Sequence, residues 1–346
     1  MSNTQTKQVI KNAAAWYSND LYQSKETWQY RLNQDDLNEI AHALAHLKAK
    51  RTNNYQVKSE DFPLNKLGKK LKEIDGIIEN GTGVFLLRGI PVNQYDISDT
   101  KMIYAGLMSY IGTPMPQSKA GELIGDVGDL GKKLTDKTGR GTTTKDPLPF
   151  HTDRSDIVTL LCLHQAKSGG ASRVVSAVTI HNEIAKNRPD LLELLYQPYY
   201  HARVAWETEG EKNYYPLPVF STYEGNFAVR YLRNFINLSQ DIREVPKMSE
   251  AQIEALNLVE KLADDPRLCA DMEFEPGDMQ ILNNFVSLHS RAGYEDDEKQ
   301  KRHLLRMWLS AHNSRSLPPS FAVLYGKTEA GVLRGGVPVA LKNFGE

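Results

Sequence analysis

The chain has 346 residues, 40% apolar and 25% charged, with 24 glycines and 16 prolines. This excludes a disordered, collagen-like or disulfide-scaffold chain and suffices for one large domain or two smaller ones. Lys and Arg number 42 against 43 Asp and Glu, for a net charge of −1, so there is no field to draw the protein to nucleic acid or an anionic membrane.

The spacing of Leu37, Ile40, Leu44 and Leu47 predicts an amphipathic helix over 34–50, with acids at its start and lysines at its end. A second helix is predicted from Pro63 to Glu79, stopped by Asn80-Gly81. The apolar run from Gly83 to Val92 reads as a buried strand, and a third helix follows over 98–110. Residues 117–147 are rich in Gly, Thr and Lys without periodicity, and read as a long functional loop. From Pro149 the pattern turns strand-like, through FHTDRSDIVTLLCLHQA and SRVVSAVTI, before a helix near 180–195. A long insert of strands, aromatics and Pro is expected at about 199–265, closing with a helix over 249–263. EPGDMQILNNFVSLHSRAGY and RHLLRMWLSAH are strand-like again, and the Pro/Gly-rich tail from Ser314 is expected to wrap the surface. With no repeat and no clear linker, the expectation is a single domain over 1–346 with N-terminal helical decoration.

Cys162 and Cys269 form no CxxC pair, which fits a reducing compartment and argues against a cysteine zinc site. The first twenty residues lack the apolar stretch of a secretory signal, and no apolar run approaches the ~18–20 residues that span a bilayer, so the expected location is the cytoplasm. GDVGDLGKK, from Gly125 to Lys133, is one residue too long for a phosphate loop and has Lys133 where a magnesium-binding hydroxyl belongs. His42 and His46 share a helix face but lack the Glu of HExxH and read as solvated.

Chemistry concentrates elsewhere. His151-Thr152-Asp153 stands at a strand entry, where residues two apart project to the same face, so His151 and Asp153 can grip one ion. Imidazole nitrogen with carboxylate oxygen suits Fe(II) or another borderline divalent metal. His289 follows far downstream, past the Pro276-Gly277 turn and a short strand, and would complete a two-His-one-carboxylate facial triad that leaves positions open. In RHLLRMW, Arg302 and Arg306 are four apart on one strand face, about 13 Å from each other at the usual rise. Guanidiniums on an apolar strand are costly without anions, and a dicarboxylate cosubstrate would supply one; pairing with Asp296, Asp297 or Glu298 is the plainer alternative.

Taken together, PFHTDRSD, SGGASRVVS, EPGDMQILNNFVSLHSRAGYED and RHLLRMW resemble the Fe(II)/2-oxoglutarate-dependent dioxygenases of the taurine dioxygenase (TauD/TfdA-like, clavaminate synthase-like) superfamily. The resemblance implies a mainly β fold with flanking helices, a double-stranded β-helix or jelly roll. It implies iron bound by His151, Asp153 and His289, and 2-oxoglutarate and O₂ as cosubstrates. Arg302 would hold the far carboxylate of 2-oxoglutarate. Ser172 falls where the family often has a Thr helping to bind the same molecule. Arg306 would face the cosubstrate's other end or an anionic substrate group. The implied reaction hydroxylates or desaturates a small, anionic or amino-acid-like metabolite and releases succinate and CO₂. The carboxylate of Asp153 disfavours halogenation, since related halogenases carry a small residue there. Arg306, Arg154 and Thr143 are the candidate substrate contacts; Arg140, Thr142, Lys145, Trp206, Tyr214 and Tyr215 could also line the substrate site, or be surface or core. The competing readings are a non-redox metal-dependent jelly-roll enzyme and a catalytically silent ligand-binding relative.

Overall fold

The computed structural model describes residues 8–50, 55–132, 141–203 and 212–339. Strand β1 (Gln29–Arg31) leads into α1 (Gln34–Ala49), whose start is fixed by Asn33: its side chain accepts from the N–H groups of Asp35 and Asp36, and Asp36 returns a bond to Asn33 N–H. Ile40, Ala43, Leu44 and Leu47 form its buried stripe, as the spacing predicts. Helix α2 (Lys66–Asn80) begins three residues later than the sequence suggests. Its free N–H groups at Asn65, Lys66 and Leu67 are satisfied by the Glu39 carboxylate of α1, a cap supplied by another helix and so invisible to local pattern. The buried Leu67, Leu71, Ile74 and Ile78 each contribute about 1.5–3 kcal/mol by leaving water.

Strand β2 (Val84–Arg88), helix α3 (Ile97–Met108, capped by Asp96) and strand β3 (Gly112–Met115) follow. The stretch 117–147 is not structureless: β4 (Ile124–Val127) lies within it, and a single 3₁₀ turn spans Gly141–Thr143. β5 (Leu148–His151), β6 (Ile157–His164) and β7 (Ser172–Ser176) precede two helices, α4 (Ala177–Asn187) and α5 (Pro189–Leu195). One helix was expected here; the chain breaks at Arg188 because Pro189 cannot continue it. The insert folds as two hairpins, Pro198–Ala202 with Tyr214–Pro218 and Phe220–Tyr223 with Asn226–Val229, then α6 (Arg233–Ser239) and α7 (Glu250–Ala263, capped by Ser249). Strands β8 (Cys269–Met272), β9 (Met279–Asn283), β10 (Ser287–Arg291) and β11 (His303–Ala311) complete the sheets, and a short helix α8 (Ala322–Tyr325) lies in the tail.

Two sheets face each other as a double-stranded β-helix, or jelly roll. The larger runs β1-β2-β9-β6-β11-β3, with β4 also paired to β11; the smaller runs β8-β7-β10-β5. All pairs are antiparallel except β1 with β2. β6 is central and covered on both faces, which is why its sequence is a nearly continuous apolar run. One core fills the space between α1–α3, the large sheet and the inner side of the small one; a second lies between the small sheet and α4, α5 and α7. The tail does not merely wrap the surface. Leu317, Phe321, Leu324 and Tyr325 are buried against Tyr215, Leu217 and Phe285 in a third cluster. Among the described residues no helix is long and apolar enough to cross a membrane.

Where the tail meets α2, Asp75 is half-buried and one carboxylate oxygen lacks a partner. Burial, reinforced by the Glu79 charge, pushes its carboxyl up to about 7. The folded state therefore keeps a proton that the unfolded chain loses near pH 4. The stabilisation this gives is complete below that pH and is lost as pH rises through 7. Asp75→Asn raises the melting temperature at pH 8 by about 1–2 °C, roughly 1 kcal/mol after allowance for solvent screening, and leaves it unchanged at pH 4. Thermal unfolding of both chains at the two pH values measures this, and equal shifts at both contradict it.

Candidate metal centre

The site forms where β5 ends. His151 is its last residue and pairs in register with His289 of β10. Beyond His151 the chain leaves the small sheet, runs irregularly through 152–156 and enters the large sheet at Ile157. Asp153 sits on that crossing. One ligand atom from each of His151, Asp153 and His289 lies within 4.8 Å of the other two, the one such group of His, Cys, Asp or Glu among the described residues. His289 Nε2 is 3.7 Å from Asp153 Oδ2, and the imidazole centroids are 4.3 Å apart at 45°. His151 Nδ1 donates to the Pro149 carbonyl at 2.9 Å, leaving Nε2 as the lone-pair nitrogen. Asp153 Oδ2 is buried without a hydrogen-bond partner.

Electrostatics prepares these groups to bind a cation. Burial, then the neighbouring His151, pushes His289 down to about 3, and burial also lowers His151, so both rings are neutral near pH 7. Burial would raise Asp153, but Arg306 and the two imidazoles outweigh it and hold the carboxyl below its usual range. Arg306 Nη1 stands 3.6 Å from Asp153 Oδ1, its guanidinium lies 4.8 Å from the Trp308 ring, and its Nε donates to Gln117 Oε1 at 2.6 Å. Gln117 in turn donates to the carbonyls of Leu123 and Arg306, so this arginine is aimed by a side chain at the head of the long loop.

A chain segment outside both sheets must find other partners for its polar backbone. Asn284 supplies three of them: its Oδ1 accepts from Asp153 N–H at 3.0 Å, its Nδ2 donates to the Ser155 carbonyl at 3.0 Å, and its own N–H donates to the Asp156 carbonyl. The buried Arg230 donates to the carbonyls of Thr152 and Asp153 at 3.2 and 3.0 Å and to Tyr215 Oη. The Arg154 carbonyl accepts from Gly336 N–H in the tail. Asn284 lies five residues before His289, so one amide ties the carboxylate's segment to the strand carrying the second imidazole. Asn284→Ala strands Asp153 N–H and the Ser155 carbonyl, and weakens divalent-metal binding by about 10–100-fold in a metal titration. Unaltered affinity would remove Asn284 from the support of this site.

The other expected residues fall in three places. Arg302 lies just before β11, buried, with its N–H on Asp296 Oδ1, its guanidinium 5.1 Å from the Tyr294 ring and its Nη1 unpartnered. A bulge between His303 and Leu304 interrupts the strict alternation assumed between Arg302 and Arg306. Ser172 opens β7 opposite Arg291, and its hydroxyl donates to Gln280 Oε1 at 3.0 Å in the interior. Arg154 turns to the tail, donating to the Leu324 carbonyl at 3.0 Å; Thr143 ends the 3₁₀ turn, its carbonyl accepting from Leu130 N–H. Thr142 accepts from Gly128 N–H and Lys145 from Tyr294 N–H. Tyr215 is core, and Tyr214 pairs with Ala202 in the first hairpin of the insert. Arg140 and Trp206 lie outside the described residues. His42 and His46 are exposed on α1.

A jelly roll with two imidazoles and a carboxylate converging at the end of one strand is the constitution of a non-haem oxygenase. The family described as "Taurine catabolism dioxygenase TauD, TfdA family" matches residues 45–308, and the chain belongs to it. It is a 2-oxoglutarate-dependent oxygenase. It is 31% identical over 322 residues to FR-33289 synthase of Streptomyces rubellomurinus, covering 91% of this chain and 94% of that one. It is 28% identical to the taurine hydroxylase-like protein SAT17 of Stachybotrys chartarum, covering 86% and 79%. Among solved structures, asparagine oxygenase with Fe(II), 3-hydroxyasparagine and succinate superposes with a TM-score of 0.63 at 16% identity, over 82% of this chain and 94% of that one. The non-haem iron oxygenase OrfP with Fe and α-ketoglutaric acid gives 0.61 at 17% identity, over 88% and 99%.

Proposed function

We infer that this chain, acting as one catalytic unit in the cytoplasm, uses Fe(II), 2-oxoglutarate and O₂ to hydroxylate or desaturate a small anionic or amino-acid-like metabolite, releasing succinate and CO₂. The carrying observation is the convergence of His151, Asp153 and His289 within 4.8 Å, with the buried carboxylate oxygen Oδ2 making no hydrogen bond. Two neutral nitrogens and one ionised oxygen suit Fe(II) and leave positions for other ligands. When bound, iron with 2-oxoglutarate and O₂ supplies the oxidising power.

The protein's own residues set geometry and charge. His151 is held in one tautomer by Pro149. Asn284 and Arg230 hold the main chain under Asp153. Arg302 presents an unpaired Nη1 to the far carboxylate of the keto diacid, the anion its burial calls for. Arg306, fixed by Gln117 beside Asp153, offers its remaining donors to an anionic group of the substrate and so brings that group next to the metal. The structural neighbours bound to hydroxylated amino acids agree with the size of such a substrate. Anaerobic addition of Fe(II) and 2-oxoglutarate gives a weak visible charge-transfer band, which neither a non-redox hydrolase nor a silent binding protein would give. Its absence overturns the reading. A metabolite panel scored by stimulated succinate release then identifies the substrate.

A further inference from the structure

Tyr294 occupies an unusual position. It is 5% exposed, and its ring has two guanidiniums against it, Arg291 Cζ at 4.8 Å and Arg302 Cζ at 5.1 Å from its centroid. Two buried nitrogens of this group, Arg302 Nη1 and Arg291 Nε, make no hydrogen bond, and no protein atom accepts the proton of the buried Tyr294 Oη. Among the described residues neither arginine is ion-paired to a carboxylate. Two of the three acids that sequence offers as partners are engaged otherwise: Asp296 accepts the Arg302 main-chain N–H, and Asp297 lies 3.5 Å from Lys167 Nζ. Arg291 spends its Nη groups on the carbonyls of Gly141, Thr144 and Asp146. Burial, then the nearby Arg302, pushes Arg291 down to about 10. Such a cluster is costly until an anion with hydrogen-bond acceptors enters it.

Gly170 packs closely against Arg302 and Tyr294. Its φ of +79° favours glycine, and a Cβ there would stand 3.0 Å from Arg302 Nε. The hydroxyl that sequence puts forward, Ser172, has its proton on Gln280. The free hydroxyl beside Arg302 is the phenol. We propose that Tyr294 is a cosubstrate-binding residue, donating its Oη proton to the far carboxylate of 2-oxoglutarate alongside Arg302 Nη1, with Arg291 adding positive potential across the ring. This rests on the keto-diacid reading above and extends it to a residue and a selectivity. The site prefers a diacid because a keto acid without the far carboxylate leaves both donors dry and unpaired.

The test uses the full chain loaded with redox-inert Zn(II), so that binding is read without turnover. Tyr294→Phe keeps the ring against the two guanidiniums and removes only the hydroxyl. Calorimetric titration shows the dissociation constant for 2-oxoglutarate rising about tenfold to a hundredfold, as for loss of a hydrogen bond to a charged group. The constant for 2-oxovalerate, of equal chain length but with no far carboxylate, stays the same, as does the melting temperature of the metal-free protein. Equal binding of 2-oxoglutarate by variant and wild type overturns the role of Tyr294 while leaving the keto-diacid reading in place. Equal weakening toward both keto acids overturns it too, because general repacking then explains the loss. If the wild type itself takes up no 2-oxoglutarate, the underlying reading falls first.

Discussion

Asp153→Ala abolishes succinate formation and lowers divalent-metal affinity by more than about 100-fold, the upper range seen when only an outer partner of a ligand is removed. The carboxylate is the one anionic group in the trio, and without it two neutral imidazoles face Arg306 with nothing to offset the cation. Metal binding then works against an unpaired guanidinium 3.6 Å from where the oxygen was. The fold itself survives. The hydrogen bonds that hold residues 152–156 go mainly to main-chain atoms and to Thr152, Ser155 and Asp156, while the Asp153 carboxylate faces only the groups of the site, Arg306 at 3.6 Å, His289 at 3.7 Å and Trp308. The metal-free variant should therefore melt close to the metal-free wild type. His289→Ala gives the same loss of turnover. Succinate release at wild-type rate in either variant, measured with the substrate or as slow uncoupled decarboxylation of 2-oxoglutarate, rules out the ligand assignment.

What sequence disclosed and what it hid divide along a physical line. His151, Asp153 and His289 were visible because metal chemistry demands particular side chains; the strand period that was to put 151 and 153 on one face does not apply, since the strand ends at His151 and Asp153 reaches the site from the irregular crossing. Helix α1 was visible in the spacing of Leu37, Ile40, Leu44 and Leu47, and the caps of α1, α3 and α7, namely Asn33, Asp96 and Ser249, stand next to the turns they cap. The start of α2 was not, since its cap is Glu39 on another helix. Asn284, Arg230 and Gln117 were not, because an amide or a guanidinium bonded to distant main-chain groups leaves no local spacing. The doublet Asn283-Asn284 within an apolar stretch, at the end of β9, was the one available hint: polar side chains there need buried partners, and Asn283 finds Ile78 and Glu79 as Asn284 finds Asp153 and Ser155. The tail was misjudged for a related reason. Its Pro and Gly content suggests a surface path, yet Arg315 and Arg334 carry it inward to Glu79 and Asp156.

That inward path sets the second large effect. Arg334 is 2% exposed; its Nε donates to Asp156 Oδ1 at 2.7 Å, and its Nη1 reaches the carbonyls of Thr328 and Glu329. The other carboxylate oxygen of Asp156 accepts from Ala311 N–H at 3.0 Å, at the end of β11. Three residues from Asp153, this pair locks the tail, the crossing segment and the last strand together. Arg334→Ala leaves Asp156 buried and uncompensated, which costs about 3–5 kcal/mol at pH 8. Burial already pushes Asp156 up to about 6 against the pull of Arg334, and loss of the cation moves it further up. With its folded value above the unfolded one, the acid favours the fold only while protonated: that benefit is complete below pH 4 and is lost as pH rises through the folded value. The deficit of Arg334→Ala is therefore small at pH 4 and largest at pH 8. Adding Asp156→Asn removes the stranded charge and recovers most of the loss, as expected when both partners of a buried pair go together. Urea unfolding of the wild type, the single variant and the double variant at both pH values decides the matter. A deficit that does not depend on pH, or no recovery in the double variant, would mean that Arg334 stabilises through its carbonyl contacts and packing on Phe285 rather than through Asp156.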